Sequence, residues 1–264
     1  MDDYQTILAE PNGSVVTLWL SRPEVHNALN AKMIREISLF FHQIEEMNDL
    51  RVVVIRGHGK SFCSGADLQW MKNAFSLSKE ENLRESEALA EMFGCIFHST
   101  KVVIAVVHGS VFGGGIGLLA VCDLAYGISS ANFCLSETKI GMAAATITPY
   151  LMQKMSPSTL KELIFSATNF DGDRAREIGL LNHSFPSSEL LETYLKEVLA
   201  RSLSNGKKAM VASKRLINQL SMESMSEKMK QIPGLLASIR VSSEAQEGFS
   251  AFLEKRNPNW ESGE

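Results

Sequence analysis

SVFGGGIGLLAVCDLA, Ser110 to Ala125, places three consecutive glycines and a fourth, Gly117, at the head of an apolar run. Glycine inside a helix costs about 1 kcal/mol relative to alanine. The chain holds 18 glycines in 264 residues, so four in this one stretch call for a local reason. VVIAVV, Val102 to Val107, precedes the stretch and reads as a short, buried, β-branched strand. The implied order is strand, glycine loop, helix. The first N–H groups of a helix lack an intrahelical acceptor, and the aligned peptides give that end a partial positive charge. Glycine lets a ligand oxygen approach them without a Cβ in the way. The stretch therefore suits a carbonyl oxygen that turns negative during a reaction. A tight turn with nothing bound fits the spacing equally well.

A second segment repeats the arrangement. VVVIRG, Val52 to Gly57, reads as a strand, and SFCSGADLQWMK, Ser61 to Lys72, follows it. Ser64, Gly65 and Ala66 are small, and Asp67 is a good N-cap for a helix beginning at Leu68. Two such loops are able to give one N–H each to a single oxygen.

Around these loops, short apolar runs alternate with helix-period segments. Val15–Ser21 and Ala125–Ser129 read as further strands, and Ala31–Met47 and Lys79–Phe97 as helices. This pattern is α/β with mainly buried, parallel strands. The last third is helical: Pro157–Ala167, Asp173–Gly179, Ser187–Leu203, Lys207–Leu220 and Ser243–Glu254. Gly179 is placed as a C-terminal cap. The expected organisation is a core over residues 1–200 that carries the site. A helical region over 201–264 would pack on that core or on a neighbouring subunit.

Composition narrows the function. With 45% hydrophobic and 21% charged residues, the chain has the make-up of a soluble globular protein. A net charge of −4 gives no bulk attraction to nucleic acid or anionic membranes. Cys63, Cys95, Cys122 and Cys134 show no CxxC spacing and read as free thiols in a reducing compartment. No basic-then-apolar leader and no membrane-length apolar run are visible, so the expectation is cytoplasmic. GHGKS, Gly57 to Ser61, ends like a phosphate loop, but Val54 stands where the first glycine is needed. Leu118 breaks a dinucleotide-type glycine pattern. The six histidines form no HxxxH pair, which argues against a metal site. No GxSxG elbow is present.

Six segments, in order, resemble the crotonase (enoyl-CoA hydratase/isomerase) superfamily nearly end to end. They are SRPEVHNALN (Ser21–Asn30), SFCSGADL, VFGGGIGLLAVCDLA, ANFCLSETKIGM (Ala131–Met142), FDGDRAREIGLLNHSFP and EGFSAFLEKRNPNW. SGADLQWMK, FGGGIGLL and ITPY look closest to the methylglutaconyl-CoA hydratase-like branch. The resemblance implies a spiral of ββα units with a C-terminal helical trimerisation region, forming a homotrimer or homohexamer. It implies an acyl-CoA thioester as substrate and no cofactor beyond that coenzyme A. By similarity, the N–H groups of Ala66 and Gly114 hold the thioester oxygen. Glu24, Val25 and Ala28 lie along the CoA. Gly65, Asp67, Leu68 and Gln69 line the acyl and pantetheine path, Gly113 belongs to the substrate-binding oxyanion loop, and Gly117 is a substrate-binding position beyond it. Lys255 reaches a CoA phosphate.

The resemblance also sharpens the chemistry. Typical hydratases of this family carry two glutamates. Here the second is Glu137, in LSETKIG, and the position of the first is Gly117. Glu137 lies in a stretch with Phe133, Cys134, Leu135, Ile140 and Met142, where burial would raise its pKa towards neutrality. Gly117 cannot move a proton. One reading is a hydratase of short or branched 2-enoyl-CoA, with Thr146, Thr148 or Tyr150 assisting water. A second is a Δ3-Δ2 enoyl-CoA isomerase with Glu137 as its single base. A third is a non-catalytic acyl-CoA binder. A glutaconyl substrate would want a cation, for which Lys72 and Lys139 are candidates.

Overall fold

A computed structural model describes residues 4–74, 76–222 and 243–259. The chain divides into two compact units, Met1–Glu192 and Thr193–Glu264.

In the first unit the apolar runs become a six-stranded sheet. Its strands are β1 (Ile7–Asn12), β2 (Val15–Leu20), β3 (Val52–Gly57), β4 (Val102–Val107), β6 (Leu124–Ile128) and β9 (His183–Phe185), in that spatial order. From β2 onward every pairing is parallel. β3 and β4 are buried along nearly their whole length, as parallel strands covered on both faces must be. β1 joins antiparallel at the edge, through a hairpin turning at Gly13.

A second, three-stranded sheet has the order β5 (Ser110–Phe112), β7 (Asn132–Cys134), β8 (Phe170–Asp171). The chain alternates between the sheets. β4 enters the large one and β5 the small one; β6 enters the large and β7 the small. One turn earlier, after β3, Cys63 makes a lone parallel bridge to Val111, and Leu29 makes another to Ala66. Successive turns of the chain therefore stack, and each returns a short extended piece beside the last.

Helices cover these layers. α1 (Ala31–Glu45) starts where the Asn30 side chain accepts from Met33 N–H. It buries Met33, Ile34, Ile37, Phe40, Phe41 and Ile44, a stripe at helical spacing. α2 (Leu68–Ala74) is short. α3 (Lys79–His98) opens with a capping box between Ser78 and Glu81 and buries Met92, Phe93, Ile96 and Phe97. α4 (Gly114–Ala120) is almost wholly buried. α5 (Thr148–Lys154), α6 (Pro157–Ser166) and α7 (Gly172–Glu177) follow. Gly179, at φ 85°, closes the last of these as expected. α8 (Ser188–Ser204) spans the boundary between the units. In the second unit lie α9 (Lys207–Met222) and α10 (Ser243–Glu254), helices anticipated by the sequence. All four cysteines are free. No helix among the described residues is long and apolar enough to cross a membrane.

Candidate active site

The stacked turns bring three loops together. The first is residues 64–67. Leu29 N–H donates to Gly65 O (2.7 Å), and Asp67 N–H donates to Leu29 O (2.8 Å). A parallel bridge of this kind uses the groups of the residues on either side of Ala66. Ala66 itself points the other way, and its N–H has no protein acceptor among the described residues. Gly65 takes φ 94°, which L residues rarely adopt, and a Cβ there would lie 3.0 Å from Phe112 O.

The second loop is residues 112–115. Gly113 sits at φ 47°, ψ −116° and donates its N–H to Cys134 O (3.1 Å). Gly114 begins α4, so its N–H falls outside the helical ladder and meets no protein acceptor among the described residues. A Cβ on Gly114 would lie 3.0 Å from Leu29 Cδ1, and one on Gly115 would collide with Cys63 O. Leu29 is thus the common neighbour of Ala66 and Gly114.

The third loop follows β7. Glu137 opens a 3₁₀ turn, Glu137–Ile140, that ends at Gly141 with φ 72°. Its Oε1 lies 3.2 Å from the place a Cβ would take on Gly113. Its Oε2 is buried with no hydrogen-bond partner. Burial pushes the carboxyl above its ordinary value of 4.5. The surround differs from the sequence reading on one side. Phe133, Cys134 and Leu135 are buried, but Ile140 and Met142 are 58% and 60% exposed. The 3₁₀ turn carries the chain outward past Glu137, so the apolar wall comes from β7 and the glycine loop.

Gly117 is enclosed in apolar side chains. A Cβ there would collide with Ile147 Cγ2 and lie 2.9 Å from Phe93 Cζ. The room that a glutamate side chain would need is occupied. Of the polar residues near Ile147, Thr148 donates its hydroxyl to Ala144 O (2.7 Å), back along the chain. Tyr150 packs its ring against Phe97, centroids 5.1 Å apart.

The N-terminal segment folds over the first loop. Arg22 donates through Nη2 to Asp67 Oδ2 (2.8 Å) and through Nη1 to Ala28 O (2.6 Å). Asp67 in turn accepts from Gln69 and Trp70 N–H, capping α2 as its position foretold. Burial alone would raise the Asp67 carboxyl; Arg22 and the two N–H groups outweigh it and hold it low. Asn27, fully buried at φ 55°, donates to His58 O and Ser61 O (2.8 Å each) and accepts from Arg22 N–H. Ala28 is buried, Val25 half-buried and Glu24 exposed. Leu68 is 75% exposed, and Gln69 is exposed with its amide on Asn73. Lys72 and Lys139 are exposed. Lys255, in the second unit, follows α10 at φ 54° and is exposed. Sequence reasoning overlooked Arg22, Phe93 and Ile147. Arg22 stands inside the SRPEVHNALN segment and Ile147 opens ITPY, but their roles come from Asp67 and Gly117, and Phe93 lies in no motif; each acts through a partner distant in the chain.

The described geometry is thus a buried carboxylate with an unsatisfied oxygen, set against a glycine loop whose next N–H meets no protein acceptor among the described residues. The sequence pattern of the enoyl-CoA hydratase/isomerase family matches residues 10–263, and the chain belongs to that family. It is 31% identical to a crotonyl-CoA hydratase of Syntrophomonas wolfei over 260 residues, covering 97% of this chain and 98% of that one. A solved enoyl-CoA hydratase from Shewanella pealeana superposes with a TM-score of 0.93 at 30% identity, covering 98% and 97% of the two chains. A putative enoyl-CoA hydratase/isomerase (crotonase) from Legionella pneumophila gives 0.87 at 37% identity over 97% and 98%. The fold is the crotonase fold that the six segments implied.

Proposed function

We propose that this chain hydrates a short or branched 2-enoyl-CoA with Glu137 as its sole carboxylate acid/base. The observation that carries the reading is the buried, unpartnered Oε2 of Glu137 beside the free N–H groups of Ala66 and Gly114. The thioester oxygen accepts from both donors, which polarises the conjugated C2=C3 bond. Glu137 takes a proton from water as the hydroxyl oxygen bonds to C3. The electron pair moves through C2 onto the thioester oxygen. The Glu137 carboxyl then returns that proton to C2, and the oxygen's charge flows back as the carbonyl reforms. One carboxylate closes the cycle because the proton it removes is the proton it returns. The raised pKa suits both halves. The relatives whose names specify hydration support the same direction.

One observation favours a second reading. Ile147 and Phe93 fill the space beside Gly117, and a single base also suffices for a Δ3-Δ2 enoyl-CoA isomerase. There Glu137 would take a proton from C2 and return one to C4. A homotrimer or homohexamer belongs to either reading.

One assay separates them. Purified protein is offered crotonyl-CoA, 3-methylglutaconyl-CoA and a 3-enoyl-CoA, and the conjugated enoyl absorbance is followed. Hydration removes absorbance from the first two substrates and yields the 3-hydroxyacyl-CoA. Gain of absorbance from the 3-enoyl-CoA alone would establish the isomerase. Binding of all three with no turnover would leave an acyl-CoA binder.

A further inference from the structure

We propose that His42, Glu91 and Cys95 form a binding site for a divalent transition-metal ion of the zinc class where α1 meets α3. None of the three belongs to the thioester site.

The donors converge. His42 Nε2 lies 3.4 Å from Cys95 Sγ and 3.5 Å from Glu91 Oε1. The three donor atoms fall within 4.8 Å of one another. A tetrahedral ion with bonds of about 2.0–2.3 Å separates its donors by roughly 3.3–3.8 Å. The spacings from His42 to Cys95 and to Glu91 already match those edges, and the third lies within 4.8 Å.

The helices explain the convergence. Glu91 and Cys95 are four residues apart on α3 and share a face. His42 lies in the last turn of α1, which packs against α3. Gly94 has open space where its Cβ would be, and this widens a hollow of about 410 Å³ that all three donors line. His98 lines the same hollow one helical turn beyond Cys95. Glu45 also lines it, but its oxygens accept from Ser99 and Thr100, so it contributes charge and not ligation.

The donor set selects the ion class. Imidazole, thiolate and carboxylate together suit zinc, cobalt and their neighbours, whereas magnesium and calcium take oxygen ligands. Histidine spacing hides the site from sequence, because His42 and Cys95 stand 53 positions apart on different helices.

The test uses the full chain, stripped with a chelator, desalted, and titrated with zinc and with cobalt(II). The expected result is one saturable equivalent per chain, with a thiolate-to-cobalt charge-transfer band. Cys95→Ser removes that band. His42→Ala and Glu91→Gln each weaken zinc binding by at least about 10-fold, because loss of a ligand costs no less than loss of its supporting partner. Enoyl-CoA turnover serves as the fold control and stays unchanged in all three variants. The proposal is overturned if the chain takes up no stoichiometric ion. It is equally overturned if Cys95→Ser and His42→Ala bind zinc as tightly as the parent.

Discussion

Glu137 Oε1 stands 3.2 Å from the point a Cβ would occupy on Gly113, so the carboxylate lies directly against the glycine loop. The closeness has two consequences. Gly113 accepts no side chain without pushing the Glu137 carboxylate aside, quite apart from its left-handed φ of 47°. Any thioester oxygen held at Gly114 N–H also lies close to this carboxylate, to which the proposed function gives the proton transfer.

Glu137→Gln keeps the shape and removes the proton transfer. Turnover is expected to fall by about 100- to 10,000-fold, the usual span for a positioned acid/base. Binding of a saturated acyl-CoA, measured by calorimetry, stays within a few fold. Unaltered turnover would remove Glu137 from the mechanism.

The pH dependence has a definite sign. Glu137 must be ionised to accept a proton, and burial raises its pKa above 4.5. The acid limb of kcat/KM therefore lies above the ordinary carboxylate range. Stability moves the opposite way. A carboxyl whose folded pKa is raised favours the fold below the unfolded value and loses that contribution as pH rises through the folded one. Glu137→Gln is therefore close to neutral for stability at pH below 4.5 and becomes more stable than the parent as pH increases beyond it. Urea unfolding at a series of pH values reads this difference.

The two donors are separable from their loops. Gly114 is the first residue of α4, so the N–H that proline removes there breaks no helical bond, although the ring, like any Cβ, requires the tip of Leu29 to shift. Gly114→Pro is expected to lower kcat by roughly 100- to 1,000-fold. Gly114→Ala retains the N–H and asks only that the tip of Leu29 shift, so its kcat stays much nearer the parent's. Equal losses in both variants would point to packing.

The cover segment depends on one buried amide. Asn27→Ala strips two carbonyls of their donor and puts alanine at φ 55°. A loss of about 1–3 kcal/mol follows from the unsatisfied groups, before any backbone strain. Guanidinium unfolding measures it.

The enclosure of Gly117 predicts a coupling. Gly117→Ala is expected to destabilise by about 1–3 kcal/mol through overpacking. Ile147→Ala alone costs about 2–5 kcal/mol through the cavity it leaves. Adding Gly117→Ala to Ile147→Ala then costs less than adding it to the parent, with a coupling of about 0.5–3 kcal/mol. Simple additivity would mean that the two residues do not contest the same space.

The central strands and most helices were legible because their signals are local. β2, β3 and β4 are dense in β-branched residues, and Asp67 and Gly179 mark helix ends. β1 was not, since its ILAEPN sequence is mostly exposed and holds a proline, as an edge strand permits. β5, β7, β8 and β9 have two or three residues each, too few for any period to show. At the site, composition marked the two small-residue loops, and the family resemblance alone singled out Ala66, Gly114 and Glu137 within them and beyond them. The orphaned Oε2, the Arg22–Asp67 clamp and the plug at Gly117 arise between residues far apart in the chain, where spacing carries no signal.

That plug also constrains redesign. A second carboxylate at position 117 has to displace both Ile147 and Phe93, so substitution at 117 alone does not accommodate it. Glutamate first meets Ile147 and Phe93; a small residue at 147 first opens a hole. Directed evolution towards the two-glutamate chemistry should therefore randomise positions 117 and 147 together.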